Sequence, residues 1–192
     1  MKGLGSDKFN IIIFNDSFSH VGYYCLEFEK LDINMLEFLQ RRPDHALELK
    51  EIRPVVHQLA TALDFLQDVG IVHADLKPEN IMIVDRGQQP MRVKIIDFGL
   101  ALKNPEEHTG TVLQTLWYRC PEVLLGTAFN GAIDVWSLGC ITVEIFTGSA
   151  LFPGEDEEDM IRMSILRRGG QMTKKLRDQA KLSPAKRERE DI

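Results

Sequence analysis

The chain has 192 residues and a formal net charge of −6, with 44% hydrophobic and 27% charged residues. That length buries one good core, and that balance excludes a disordered or fibrous chain. No apolar run nears the ~20 residues that span a bilayer, and residues 1–7 form no hydrophobic signal segment, so no membrane partner is expected. Charge is uneven. Residues 167–192 hold nine Lys/Arg and four Asp/Glu, a net of +5, so the rest carries −11. Such an end is expected to be solvated and disordered, with no direct nucleic-acid binding. Cys25, Cys120 and Cys140 are odd in number and show no metal spacing, which points to reduced thiols in an intracellular protein.

In chain order, Phe9 to Phe14 is a β-branched and aromatic run that predicts a strand. Residues 15–22 carry turn chemistry, and Tyr23 to Phe28 predicts a second strand paired with the first. Residues 35–40 read as a short helix that stops before Pro43. A long helix follows over 48–68, where Ile52, Val55, Val56, Leu59, Leu63 and Leu66 recur at helical spacing. Gly70 ends it. Ile81–Val84 and Val93–Asp97 are predicted strands around a turn at 85–90. Residues 132–147 are predicted as a helix, apolar nearly all round and therefore buried. A last helix opens on the acidic run 155–159, where its dipole favours negative charge, and reaches about Arg167.

The polar loop between Val72 and Ile81 stands out. It sets an acid, a base and an amide at fixed offsets, as Asp75, Lys77 and Asn80, and Pro78 stiffens it. That set suits phosphoryl transfer. The acid can orient and deprotonate a hydroxyl, the lysine can neutralise growing charge, and the amide oxygen can take a metal ion. The next strand pair would carry Asn80 and Asp97 to one place, and magnesium is the natural hard cation for two such oxygens.

The loop His73-Ala74-Asp75-Leu76-Lys77-Pro78-Glu79-Asn80 resembles the catalytic loop of protein kinases. Three further motifs follow in the family's order: Asp97-Phe98-Gly99, Cys120-Pro121-Glu122, and Asp134-Val135-Trp136-Ser137-Leu138-Gly139. The His-Ala-Asp variant and Tyr118-Arg119-Cys120-Pro121-Glu122 look most like the homeodomain-interacting protein kinases, relatives of the dual-specificity tyrosine-regulated kinases. The resemblance covers about residues 9–166. It implies an α+β, protein-kinase-like fold, a mostly helical C-lobe with a remnant of the β N-lobe. Residues 1–31 would be that remnant with the hinge, 32–168 the C-lobe, and 169–192 the tail.

The resemblance also implies roles. Asp75 would be the base and Lys77 the phosphoryl stabiliser. Asn80 and Asp97 would be the magnesium ligands, and Thr115 would tie Asp75 to Lys77. Phe28 would be the gatekeeper, Glu29 and Leu31 would offer hinge backbone to adenine, and Met82 and Ile96 would pack on its faces. His73, Phe98, Glu122 and Asp134 would give structural support, Asp134 by holding the loop backbone near His73. The cofactors would be ATP and Mg²⁺. Protein substrates modified on Ser or Thr before a proline follow from Arg119, and transcription regulators and a nuclear location follow from the family.

Some features depart from the family pattern. No Gly-rich phosphate loop, no nucleotide lysine and no Glu partner for it are recognisable before residue 9. Truncation at both ends is therefore expected, and Glu122 has no identifiable partner. Val112 and Leu116 stand where relatives have a tyrosine and an arginine, and Ala74 replaces an arginine that reads phosphate. The alternative to an active kinase is an inactive fragment or a pseudokinase-like binding module.

Overall fold

The computed structural model describes residues 6–167. The expected basic tail at 169–192 lies outside them. Among the described residues there are two small sheets and five α-helices. The first is a hairpin of β1 (Phe14–His20) and β2 (Tyr23–Phe28). The second has the order β3-β4-β5, with β3 (Ile33–Asn34), β4 (Ile81–Asp85) and β5 (Gln89–Ile95), all antiparallel. Between and after them run α1 (Met35–Gln40), α2 (Leu49–Asp68), α3 (Pro121–Leu124), α4 (Ala132–Thr147) and α5 (Glu157–Arg167).

The first strand sits differently from its expected place. Residues 6–9 form a 3₁₀ turn, and Asn10 has φ +55°. Ile11 is buried and bridges Ile95 in parallel, and the Ile12 N–H donates to the Ile95 carbonyl at 3.0 Å. The apolar run therefore joins the second sheet, and the strand itself begins at Phe14. Within the stretch that read as a turn, residues 16–19 pair with residues 24–27, after a register irregularity between Phe14 and Asp16. The true turn is Val21–Gly22, with both φ values positive, the geometry of a two-residue hairpin loop. Both faces of this hairpin meet solvent, so no apolar alternation marks β1.

α2 forms because its apolar positions make one stripe. Ile52, Val55, Leu59, Ala62, Leu63 and Leu66 are all buried, against β5 and α4. At its start the Glu51 carboxylate accepts the Glu48 N–H at 2.9 Å and is gripped by Arg42 through two bonds. Gln58 carries α2 onto β5: its amide donates to the Met91 carbonyl at 2.7 Å and accepts the Val93 N–H at 3.1 Å. Gly70, at φ +69°, turns the chain toward the polar loop.

α4 packs against α2 and the 3₁₀ turn at 116–118, yet it is not buried all round. Ile133, Leu138, Ile141 and Ile145 face the core, whereas Val135 is 56% and Phe146 53% exposed. Its apolar content exceeds what one inner face needs, so some of it faces outward. It ends at Gly148, where φ is +74° and an added Cβ would lie 2.7 Å from the Asp44 carbonyl oxygen. Only glycine fits that approach.

One buried carboxylate on α4 has a readable pH signature. Glu144 accepts the Tyr118 hydroxyl at 2.7 Å. Burial raises the Glu144 carboxyl above its ordinary value, the Tyr118 bond opposes this, and the charge of Glu79 adds to the rise. The folded state thus holds this proton more tightly than the unfolded chain. Its stabilising share is full below the unfolded carboxylate value and is lost as pH rises through the folded one. Glu144→Gln should therefore melt like the parent at low pH and above it at neutral pH. Tyr118→Phe strands the carboxylate and should cost about 1–3 kcal/mol at neutral pH. Thermal melts across pH check both.

Candidate active site

The loop at 73–80 is held from beneath by α4. Asp134, 2% exposed, accepts the His73 N–H at 2.7 Å and the Ala74 N–H at 2.9 Å. Burial raises its carboxyl, while the nearby His73 and both N–H donors pull the other way. Those two bonds hold Ala74 at φ +63°, a conformation that costs energy for a residue with a Cβ. The His73 ring is oriented by neighbours. Its Nδ1 accepts the Asp75 N–H at 3.3 Å, so its Nε2 carries the proton that meets the Ile96 carbonyl at 2.9 Å. Phe98 packs edge-on against the ring, with centroids 5.0 Å apart.

This frame presents Asp75. Its Oδ1 accepts the Thr115 hydroxyl at 2.7 Å and the Thr115 N–H at 3.2 Å. Its Oδ2 faces Lys77 Nζ at 2.9 Å and Asn80 Nδ2 at 3.3 Å. Lys77 also donates to Thr115 Oγ1 at 3.2 Å, which closes a triangle of acid, base and hydroxyl. Burial pushes the Asp75 carboxyl up, but the bonds from Lys77 and Thr115, with the Lys77 charge, bring it below the ordinary value. Asp75 is therefore ionised at neutral pH and able to accept a proton.

Asn80 and Asp97 lie on either side of one backbone bond, from the Ile96 N–H to the Asn80 carbonyl at 2.9 Å. Asn80 Nδ2 donates to the Asp75 carbonyl at 2.8 Å as well as to its carboxylate. That leaves Asn80 Oδ1 with no bond to another described residue. Asp97, outside the strand expected to hold it, is exposed at φ +59° and uses Oδ1 to accept the Gly99 N–H at 3.1 Å. β5 ends at Ile95 because the chain turns at Asp97. Two oxygens on neighbouring segments fit a hard cation whose remaining ligands come from phosphate and water. Among the described residues no three His, Cys, Asp or Glu side chains gather as a metal cage, and magnesium does not require one.

The expected purine segment lies at the end of β2. Phe28 is 42% exposed and meets Phe14 edge-on, with centroids 5.7 Å apart. The Glu29 N–H donates to the Ile13 carbonyl at 3.0 Å, while the Glu29 carbonyl and the Leu31 N–H bond no other described residue. An acceptor and a donor two residues apart are thus left for a ligand. Met82 and Ile96 are half-buried. Glu122 is half-buried, forms no ion pair with another described residue, and its carbonyl accepts the Thr127 N–H and hydroxyl at 2.9 and 3.2 Å.

Three residues at or near the site had escaped the sequence reading. Gln114, buried at φ +63°, donates to Ser137 Oγ and the Ile133 carbonyl and accepts the Cys120 N–H. Its N–H reaches the Ala74 carbonyl at 3.0 Å, so it joins the polar loop to α4. No local pattern marks it. Glu144 is the second. Lys94 is the third, and it did leave a signal as one lysine in the apolar run 93–96. Cys25, Cys120 and Cys140 are free thiols, and burial pushes Cys140 up to about 12. Among the described residues, no helix is long and apolar enough to cross a membrane.

The chain matches the protein kinase domain family over residues 3–189. It is 46% identical over 177 residues to homeodomain-interacting protein kinase 1 of Caenorhabditis elegans, covering 92% of this chain and 21% of that protein. It is 48% identical to homeodomain-interacting protein kinase 2 of Mus musculus, covering 82% and 13%. To homeodomain-interacting protein kinase 4 of Homo sapiens it is 41% identical, covering 84% and 27%. The chain thus spans 13–27% of the length of these relatives. Four ordered motifs, an α+β fold that assembles them and a match over nearly the whole sequence lead to one conclusion: the chain belongs to the protein kinase domain family.

Proposed function

We propose that the chain carries the catalytic half of a serine/threonine protein kinase that transfers the terminal phosphoryl group of ATP to a hydroxyl followed by proline. The carrying observation is the Asp75–Thr115–Lys77 triangle beside the oxygens of Asn80 and Asp97. Asp75 orients the substrate hydroxyl and takes its proton. Lys77 sits where charge develops on the moving group. Thr115 holds both. Asn80 and Asp97 would hold Mg²⁺, which when bound neutralises phosphate charge. The Glu29 carbonyl and Leu31 N–H receive the adenine edge, with Met82 and Ile96 against its faces and Phe28 at the back. On this reading residues 1–31 belong to the N-lobe side and 32–168 to the C-lobe.

Selection of proline rests on Gln114. Its carbonyl, one residue from Thr115, is taken by Arg119 Nε at 3.2 Å and Nη2 at 3.0 Å, and Arg119 is itself paired with Glu157 at 2.7 Å. That acceptor is unavailable to the residue after the target hydroxyl. Proline has no N–H to satisfy there. An unpaired N–H in a closed site costs about 1–3 kcal/mol, so a Ser-Ala peptide should fall roughly 5- to 150-fold below its Ser-Pro twin in kcat/KM. Equal rates on the two peptides would contradict this. The names of the relatives suggest homeodomain proteins as partners, and with partners of that kind the chain would act in the nucleus.

A second reading, a binding module without catalysis, has one observation in its favour: Phe18, Tyr23, Tyr24 and Leu26 on the hairpin are exposed.

A further inference from the structure

Lys94 is 1% exposed, among the most completely buried large side chains of the protein. An ammonium removed from water is costly unless it is paired and hydrogen-bonded. Glu29 meets it with both carboxylate oxygens, at 2.6 and 2.8 Å. The same Glu29 Oε1 accepts the Ile13 N–H at 2.7 Å, and the Glu29 N–H donates to the Ile13 carbonyl. Glu29 is thus gripped by backbone and side chain where the chain leaves β2 and crosses to β3.

The other end of the pair is equally placed. Lys94 lies opposite Met82 in the β4–β5 register, and residues paired directly across antiparallel strands share a face. Asp97 follows three residues later. Residues 10–12 add further bonds, since the Ile95 N–H donates to the Asn10 carbonyl and the Ile12 N–H to the Ile95 carbonyl. A buried ion pair adds little stability over apolar packing, but its bonds are directional.

We infer that Glu29 and Lys94 are positioning residues that fix the purine-receiving segment 29–31 against the Asn80–Asp97 oxygens. This rests on the nucleotide-site reading above. Neither residue touches the reacting atoms. The pair spans 65 positions in sequence, from the segment that takes the base to the strand that leads to the metal-side carboxylate.

The test removes both charges together, in Glu29→Gln/Lys94→Met, so that no lone charge stays buried. Backbone hydrogen exchange and Mg–ADP titration are read on the whole chain beside Lys94→Arg. In the double variant, the hydrogen-bonded amides of Glu29 and Asp32, which donate to the Ile13 and Ile83 carbonyls, should exchange about tenfold faster while α2 and α4 keep parental protection. Its Mg–ADP affinity should fall about tenfold, as loose positioning at a site predicts, and Lys94→Arg should retain most of the affinity. A double variant with parental exchange at Glu29 and Asp32, or parental affinity, overturns the inference. So does one that no longer folds, because the pair would then be structural. A parent that binds no Mg–ADP fails at a separate step: it removes the nucleotide-site reading, and the inference falls with it.

Discussion

Asp75→Asn, in this chain or in a longer one that carries it, should lower phosphoryl transfer by about 10²–10⁴-fold, the usual share of a general base. The substitution keeps the side-chain volume and an oxygen for the Thr115 hydroxyl, so the melting temperature should stay near the parent's. What it removes is the capacity to take a proton, together with the ion pair to Lys77. It also sets an amide against Asn80 Nδ2, a small local mismatch. Initial rates with Mg–ATP and a Ser-Pro peptide check the prediction. Transfer within a few-fold of the parent would remove Asp75 from the role of base.

Asp134→Ala should be the most damaging single change to the fold near the site. It orphans the buried N–H groups of His73 and Ala74. Each unsatisfied buried donor costs about 1–3 kcal/mol, so the loss of two should be about 2–6 kcal/mol. For a domain of this size that is roughly 4–24 °C in melting temperature. The consequence reaches the chemistry. Without the two bonds, Ala74 has less reason to stay at φ +63°, and Asp75 and Asn80 lose their frame. Asp134→Asn keeps one acceptor and should cost less. A parental melt for the alanine variant would show that other contacts hold the loop.

The longer helices were legible because helical spacing is local, whereas the four-residue α3 was not read. α2 displays its buried stripe within 20 residues. The loop at 73–80 was legible for the same reason, since acid, base and amide lie within six positions. β1 was not. A hairpin with both faces in solvent shows no alternation, and its polar residues 15–19 look like a turn. The outward face of α4 was not legible either, because hydrophobicity reports what a residue tolerates rather than which side it faces.

Long-range pairing was the hardest to see. Glu29 reads as a hinge residue by resemblance and Lys94 as an odd lysine in a strand, and only the fold brings their side chains within 2.6 Å. Gln114 has no sequence signature at all. Its role depends on a left-handed backbone and on partners at Ala74, Cys120, Ile133 and Ser137. The Thr115 contacts are also non-local, and the family resemblance, not residue spacing, was what suggested them.

The kinase reading turns on the proposed magnesium-dependent nucleotide site of Asn80 and Asp97 beside an ionised Asp75. The most direct test is calorimetric titration of the chain with ATP, with and without Mg²⁺, beside Asp97→Ala. Binding should need Mg²⁺ and should weaken about tenfold or more in the variant, the usual consequence of losing a charged partner of phosphate through its metal. Binding of equal strength with Mg²⁺ removed, or undiminished in Asp97→Ala, would contradict that reading.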